Sequence, residues 1–219
     1  VMVVFLILMQ PDLGASAVIF ATVLGILFIA GVHIKQFLLV ITLALISVLA
    51  LIIFEPYRWE RIIAYMDPWA DPDKGGYQLT LSLMAISRGD WFGVGLGESL
   101  MKLGYLPDVH SDFIFAVAGE ELGILGTGII ITAYALIFWR GLILSSTTSR
   151  VFILLVGSSL IFQFCLQSLI HMASTLNMIP TKGMTLPFIS YGGSSLLSSS
   201  LGMGVLLAIT RRQTFWSND

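Results

Sequence analysis

Long apolar runs separated by short polar breaks dominate this chain. Residues 13–32, 37–54, 113–139 and 151–175 are near-continuous apolar stretches, each close to the roughly 20 residues that a bilayer-spanning helix needs. The runs at 1–10 and 196–210 are shorter. The first reads as cut, and the second reaches span length if its serine-rich start also lies in the membrane. The pattern predicts an all-α, polytopic membrane protein of about six transmembrane helices, with residues 1–219 forming a single membrane domain. The chain starts inside an apolar run with no charged n-region and no cleavage site, so the start reads as the interior of a longer protein and not as a signal peptide.

The segment 55–112 breaks the pattern. It is too long for a simple connection and carries Trp59, Tyr65, Trp69, Tyr77, Trp91, Phe92 and Tyr105. Within it, Leu79, Leu83 and Ile86 recur at helical spacing, which predicts an amphipathic helix over residues 77–87 at the membrane interface. A long, ordered, aromatic loop is the place to look for function, although any one aromatic also fits a headgroup-level belt. Gly93, Gly95 and Gly97 lack the spacing and flanking elements of a nucleotide loop and read as a flexible turn.

Composition agrees with the pattern. The chain is 57% hydrophobic and 11% charged, with net charge −2, whereas soluble domains carry about 25% charged residues. Mean hydropathy is +0.93. The lone Cys165 excludes a disulfide framework within the chain and reads as a packing residue. No basic surface argues for nucleic acid. Short connections hold Lys35, Arg140, Arg150, Arg211 and Arg212 on one side and only Lys182 on the other. That bias puts the C-terminus in the cytoplasm and the 55–112 loop outside.

Polar residues near the outer face are the candidates for chemistry. Asp112 stands where the loop meets the fourth run, near water and within reach of a substrate at the membrane surface. Glu120 and Glu121 follow eight and nine residues later, about 12–14 Å deeper along a continuous helix. Intramembrane carboxylates mark function by default, but these two read first as structural groups bonded to neighbouring Ser, Thr or backbone. Asp12, beside Pro11, fits a helix start. Lys182, between Pro180 and Pro187, is the lone cation of the short outer connections and reads as an anion contact. Ser190, Gly192 and Gly193 follow it with hydroxyl donors and close backbone access, while Ser194 to Ser200 reads as small-residue packing. His110 reads either as a second base or as an interfacial residue, and His171 as a hydrogen-bonded structural group.

Together these strings resemble the SEDS (FtsW/RodA) family, and its division branch most. They are Gln10-Pro-Asp-Leu-Gly14, Pro56-Tyr-Arg58-Trp-Glu-Arg61, Asp67-Pro-Trp-Ala-Asp71-Pro72 and Gly76-Tyr-Gln78. Leu106-Pro-Asp-Val-His110-Ser-Asp112-Phe-Ile-Phe115, Gly119-Glu-Glu-Leu-Gly123 and the run from Pro180 to Ser195 complete the set. Their order covers essentially the whole chain. Ser111 stands where the family usually has Thr, His171 where Asn is expected and Asn177 where Gly is expected.

The resemblance implies a ten-span polymerase of lipid II in the bacterial cytoplasmic membrane, at the division septum, with this chain supplying the last six spans. It implies Asp112 as the catalytic aspartate, a class B penicillin-binding protein and other division proteins as partners, and support by a divalent cation (Mg or Mn) with no identifiable ligand set. The chemistry needs a base for the acceptor hydroxyl and positive charge on the departing pyrophosphate. Asp112 suits the first task. Lys182, Arg58 and Arg61 suit the second, with Tyr77, Gln78, His110 and Ser190 as further substrate contacts. The rival readings are a lipid II flippase and a non-catalytic division scaffold.

Overall fold

The computed structural model describes residues 13–54, 63, 65–70, 76–146, 150–180 and 183–216. The run at 1–10, Asp12, Arg58, Arg61 and Lys182 lie outside the described residues. Among the described residues the fold is all-α. Its helices are α1 (Leu13–Ile29), α2 (Ile34–Phe54), α3 (Tyr77–Gly89), α4 (Ile114–Ser146), α5 (Val151–Thr175) and α6 (Gly193–Trp216), with a 3-10 turn at Met101–Leu103. The helix expected at 77–87 is α3, and the run at 151–175 is α5 to the residue. α4 and α5 are long and apolar enough to cross a membrane, and α1, α2 and α6 contain shorter apolar stretches. α2 exposes Leu38, Leu39, Leu43 and Ile46, each more than half accessible. A helix with apolar residues turned outward is built for lipid rather than water.

The end of α5 explains one departure from the family's pattern. Asn177 has φ 55°, a left-handed conformation that Asn tolerates better than most side chains. Its N–H donates to Ser174 O at 3.2 Å, and the N–H of Met178 donates to Ala173 O at 2.8 Å. This is the paired bonding of a Schellman cap, for which Gly and then Asn are the preferred residues.

α4 is not one continuous helix. Gly123 has φ 67° and ψ −167° and breaks it. A break frees backbone groups, which must find partners away from water. The loop after α3 supplies them. Val94 N and Gly95 N donate to Glu120 O and Glu121 O, while Ile124 N and Leu125 N donate to Asp90 O and Trp91 O. Gly93 and Gly123 make this pairing possible, because a Cβ on Gly93 would lie 2.1 Å from Glu121 O and one on Gly123 2.4 Å from Gly93 N. Gly93 and Gly95, expected to form a flexible turn with Gly97, are therefore part of a backbone clamp.

The chain divides into two units, Val1–Gly31 with Ile129–Leu169 and Met184–Asp219, and Val32–Gly128 with Ile170–Gly183. In the first, Ile161, Phe164 and Leu206 form a core. Its last connection is held by three side chains. Tyr134 Oη donates to Pro187 O, Gln167 Nε2 donates to Thr185 O at 2.9 Å, and Thr185 Oγ1 meets Ser195 Oγ at 2.7 Å. In the second unit the core is Ala85, Met101, Leu106, Val109, Phe113, Ala116 and Val117. The segment before α4 thus packs into an interior with the start of that helix, and burial of each larger side chain contributes about 1.5–3 kcal/mol.

Candidate functional site

Asp112 sits in a tight turn directly before α4. Its N–H donates to Asp108 O at 2.9 Å, and Ser111 N donates to the same oxygen at 3.1 Å. Asp108 takes φ 51° to close the turn, a conformation short polar residues adopt more readily than bulky ones. Leu106, Val109 and Phe113 are buried at intervals of three and four residues, so the turn is anchored on one face while Asp112, on another, stays half-buried.

Burial pushes the Asp112 carboxyl above its ordinary value; a hydrogen bond from Ser111 opposes the shift and the nearby Asp108 charge adds to it. Desolvation disfavours the charged carboxylate and so makes it a stronger proton acceptor. Its Oδ2 faces the connection between α5 and α6. A Cβ on Gly183 would lie 3.0 Å from it, tighter than an ordinary contact, so the glycine lets the two segments approach without crowding. Gly183 directly follows Lys182 in the chain.

The other expected residues fall in different places. Tyr77 Oη donates to Tyr105 O at 2.7 Å, tying the start of α3 to the segment that leads into Asp112. Gln78 is half-buried and His110 exposed in the same unit. Ser190 belongs to the other unit, where its Oγ accepts from Leu186 N at 2.7 Å and closes a turn.

Glu120 and Glu121 have the structural role expected of them, with partners that sequence reasoning missed. Glu120 is fully buried. It takes Arg88 Nη1 at 2.5 Å, Ser99 Oγ at 2.5 Å and Leu100 N at 3.2 Å. Lys102 Nζ stands 2.6 Å from Glu121 Oε1 as a charge contact, off the angle of a hydrogen bond. The available signal was the presence of two cations, Arg88 and Lys102, in the loop that precedes the Glu pair. Two more contacts hold the loop down: Ser82 Oγ donates to Thr175 O at 2.8 Å and Tyr65 Oη to Met178 O at 2.9 Å.

A divalent cation such as Mg prefers several oxygen ligands in fixed geometry. Among the described residues no three His, Cys, Asp or Glu side chains converge to hold one. Asp112 with Asp108 nearby does not amount to a resident metal cage, so no step is routed through a cation.

The chain is similar to known proteins over nearly its whole length. The sequence profile of the FtsW/RodA/SpoVE family, described as cell cycle protein, matches residues 1–214. The probable peptidoglycan glycosyltransferase FtsW of Shewanella sediminis is 45% identical over 208 residues, covering 94% of this chain and 51% of that protein. The protein of the same description from Alkalilimnicola ehrlichii is 45% identical over 207 residues, covering 93% and 52%. The crystal structure of an aspartate-to-alanine mutant of the rod shape determining protein RodA from Thermus thermophilus superposes with a TM-score of 0.61 at 26% identity, covering 95% of this chain and 53% of that one. The chain spans about half the length of the curated relatives it matches. With the family profile running from the first residue almost to the last, this chain belongs to the FtsW/RodA/SpoVE family of cell cycle proteins, the SEDS family.

Proposed function

We propose that the protein containing this chain polymerises lipid II into peptidoglycan glycan strands at the outer face of the bacterial cytoplasmic membrane during division. Its FtsW relatives carry the description of probable peptidoglycan glycosyltransferase, which supplies the reaction class. The observation that carries the assignment is the half-buried Asp112, its carboxyl raised by desolvation and its Oδ2 turned to the Gly183 backbone. In this reading Asp112 takes the proton from the acceptor sugar hydroxyl as that oxygen bonds to the donor's anomeric carbon. The bond from that carbon to the pyrophosphate breaks, and undecaprenyl pyrophosphate leaves without a general acid. Lys182, next to Gly183, with Arg58 and Arg61, neutralises the leaving group. Tyr77, Gln78 and His110 contact the sugars or shape the loop. Six spans of a ten-span protein and a class B penicillin-binding protein as activating transpeptidase complete the proposal.

A lipid II flippase would want its charged site near the midplane, between repeats. Glu120 and Glu121, the residues that favoured that rival, are engaged by Arg88, Ser99 and Lys102, which speaks for structure rather than transport. The test is glycan-strand formation from purified lipid II by the full-length protein with its partner, comparing wild type with Asp112→Asn. The Asn variant is expected to make no polymer. Polymer at the wild-type rate would remove Asp112 as base, and loss of transport without any polymerase activity in the wild type would favour the flippase.

A further inference from the structure

The break at Gly123 changes where the membrane meets this chain. Glu120 and Glu121 precede the break and are held by cations of the loop. Residues 124–144 follow it as continuous helix with Arg140 as their one charge, about 31 Å at the α-helical rise, which matches the hydrocarbon thickness. Arg140, near the far end, can extend its head to the interface. This part of α4 is therefore long and apolar enough to cross a bilayer without the segment that carries the glutamates.

The loop that clamps the break is apolar on its outside. Trp91 is 58%, Phe92 83% and Leu96 78% exposed. Trp91 O holds Leu125 N at 3.2 Å, and Asp90 O holds Ile124 N at 2.9 Å, so Trp91 and the adjoining Phe92 sit beside the first residues of the crossing helix, while Gly95 N on Glu121 O places Leu96 beside the break. Ile124 and Leu125 are themselves half-exposed, making one apolar surface that runs from the loop onto α4. Exposed Asp90 and Glu98 bracket it in sequence. Large aromatic and aliphatic groups flanked by carboxylates suit the boundary between headgroups and acyl chains.

We infer that the loop-side bilayer boundary lies at the Gly123 break, and that Trp91, Phe92 and Leu96 form a wedge seated in the lipid interface there. Glu120 and Glu121 then stand on the aqueous side, where their ion pairs anchor the loop and are not part of a path through the membrane. The wedge would fix the height of the loop, and with it Asp112, relative to a lipid-borne substrate. The inference rests on α4 being a span and is independent of the polymerase reading.

The test uses the full-length protein with Cys165 and every other native cysteine changed to Ser, reconstituted in phosphatidylethanolamine–phosphatidylglycerol vesicles. Nitroxide labels are placed by Phe92→Cys and Leu96→Cys, with Ile129→Cys as the lipid reference and Glu98→Cys as the aqueous one. Labels at 92 and 96 are expected to favour oxygen over a water-soluble nickel chelate by several-fold, as at 129. Nickel access equal to that at 98 would overturn the wedge, as would shielding from both reagents, which would mean a protein partner covers it. A lipid-like signal at 129 alone would leave α4 a span and refute only the wedge. If Cys165→Ser lowers folded yield, the native cysteine is kept and its signal subtracted using the parent protein.

Discussion

Arg88 and Glu120 meet at 2.5 Å across 32 residues of sequence. Glu120 is fully buried while Arg88 is partly open to solvent. The pair joins the end of α3 to α4, and Ser99 and Leu100 add a third segment.

Breaking this junction from either side is expected to destabilise the protein. Removing Arg88 leaves a buried carboxylate with only neutral donors, and Glu120→Gln leaves Arg88 and Ser99 with a weaker acceptor. Each single change should cost about 2–3 kcal/mol. Arg88→Met with Glu120→Gln should cost clearly less than the sum, because the two groups share one interaction. Thermal unfolding in detergent, read as a double-mutant cycle, measures this; additive effects would show that the pair is not coupled.

Gly93→Ala and Gly123→Ala should each lower stability by at least about 2 kcal/mol. Both residues have positive φ, and a Cβ at either would overlap backbone atoms. Gly128→Ala is the control. Nothing lies within 4 Å of a Cβ there, and in a helix Ala is favoured over Gly by about 0.5–1 kcal/mol. Melting temperatures of the three variants should therefore move in opposite directions.

Asp112→Asn should abolish polymerisation and leave the melting temperature unchanged or higher. Because burial raises the folded carboxyl above its ordinary value, the native state binds this proton more readily than the unfolded chain does. Stability from this group is full below the ordinary carboxylate value and declines as pH rises through the interval up to the folded one. Asn removes that decline. The wild-type activity should have an acid limb at higher pH than an ordinary aspartate, since the base works only when deprotonated. A pH–rate profile on lipid II and melting curves of both proteins at several pH values check the two claims.

Gly183→Ala should reduce kcat by roughly 10-fold with little change in stability. The new methyl group would press on Asp112 Oδ2 from 3.0 Å, and small displacements of a reacting group are costly. Wild-type turnover by this variant would mean that the carboxylate does not depend on the close approach of this segment.

The apolar runs alone determined most of the secondary structure. α5 matches its run to the residue, and α3 follows from the spacing of Leu79, Leu83 and Ile86. Such helices are local, because burial periodicity and bilayer thickness act within one segment. The motif strings determined the family, and Asp112 stood out because a carboxylate at the start of a span is costly unless used. The tertiary structure decided what depends on distant segments. The break in α4 is invisible in an apolar run containing one more glycine; backbone groups of Asp90 to Gly95, some 30 residues away, convert Gly123 into a break by satisfying what the helix gives up. The partners of Glu120 and Glu121 come from loop positions with no fixed sequence offset. The close approach of Gly183 to the Asp112 oxygen arises from chain brought back across 71 residues. Burial and close approach are properties of two segments at once, so neither segment's sequence contains them.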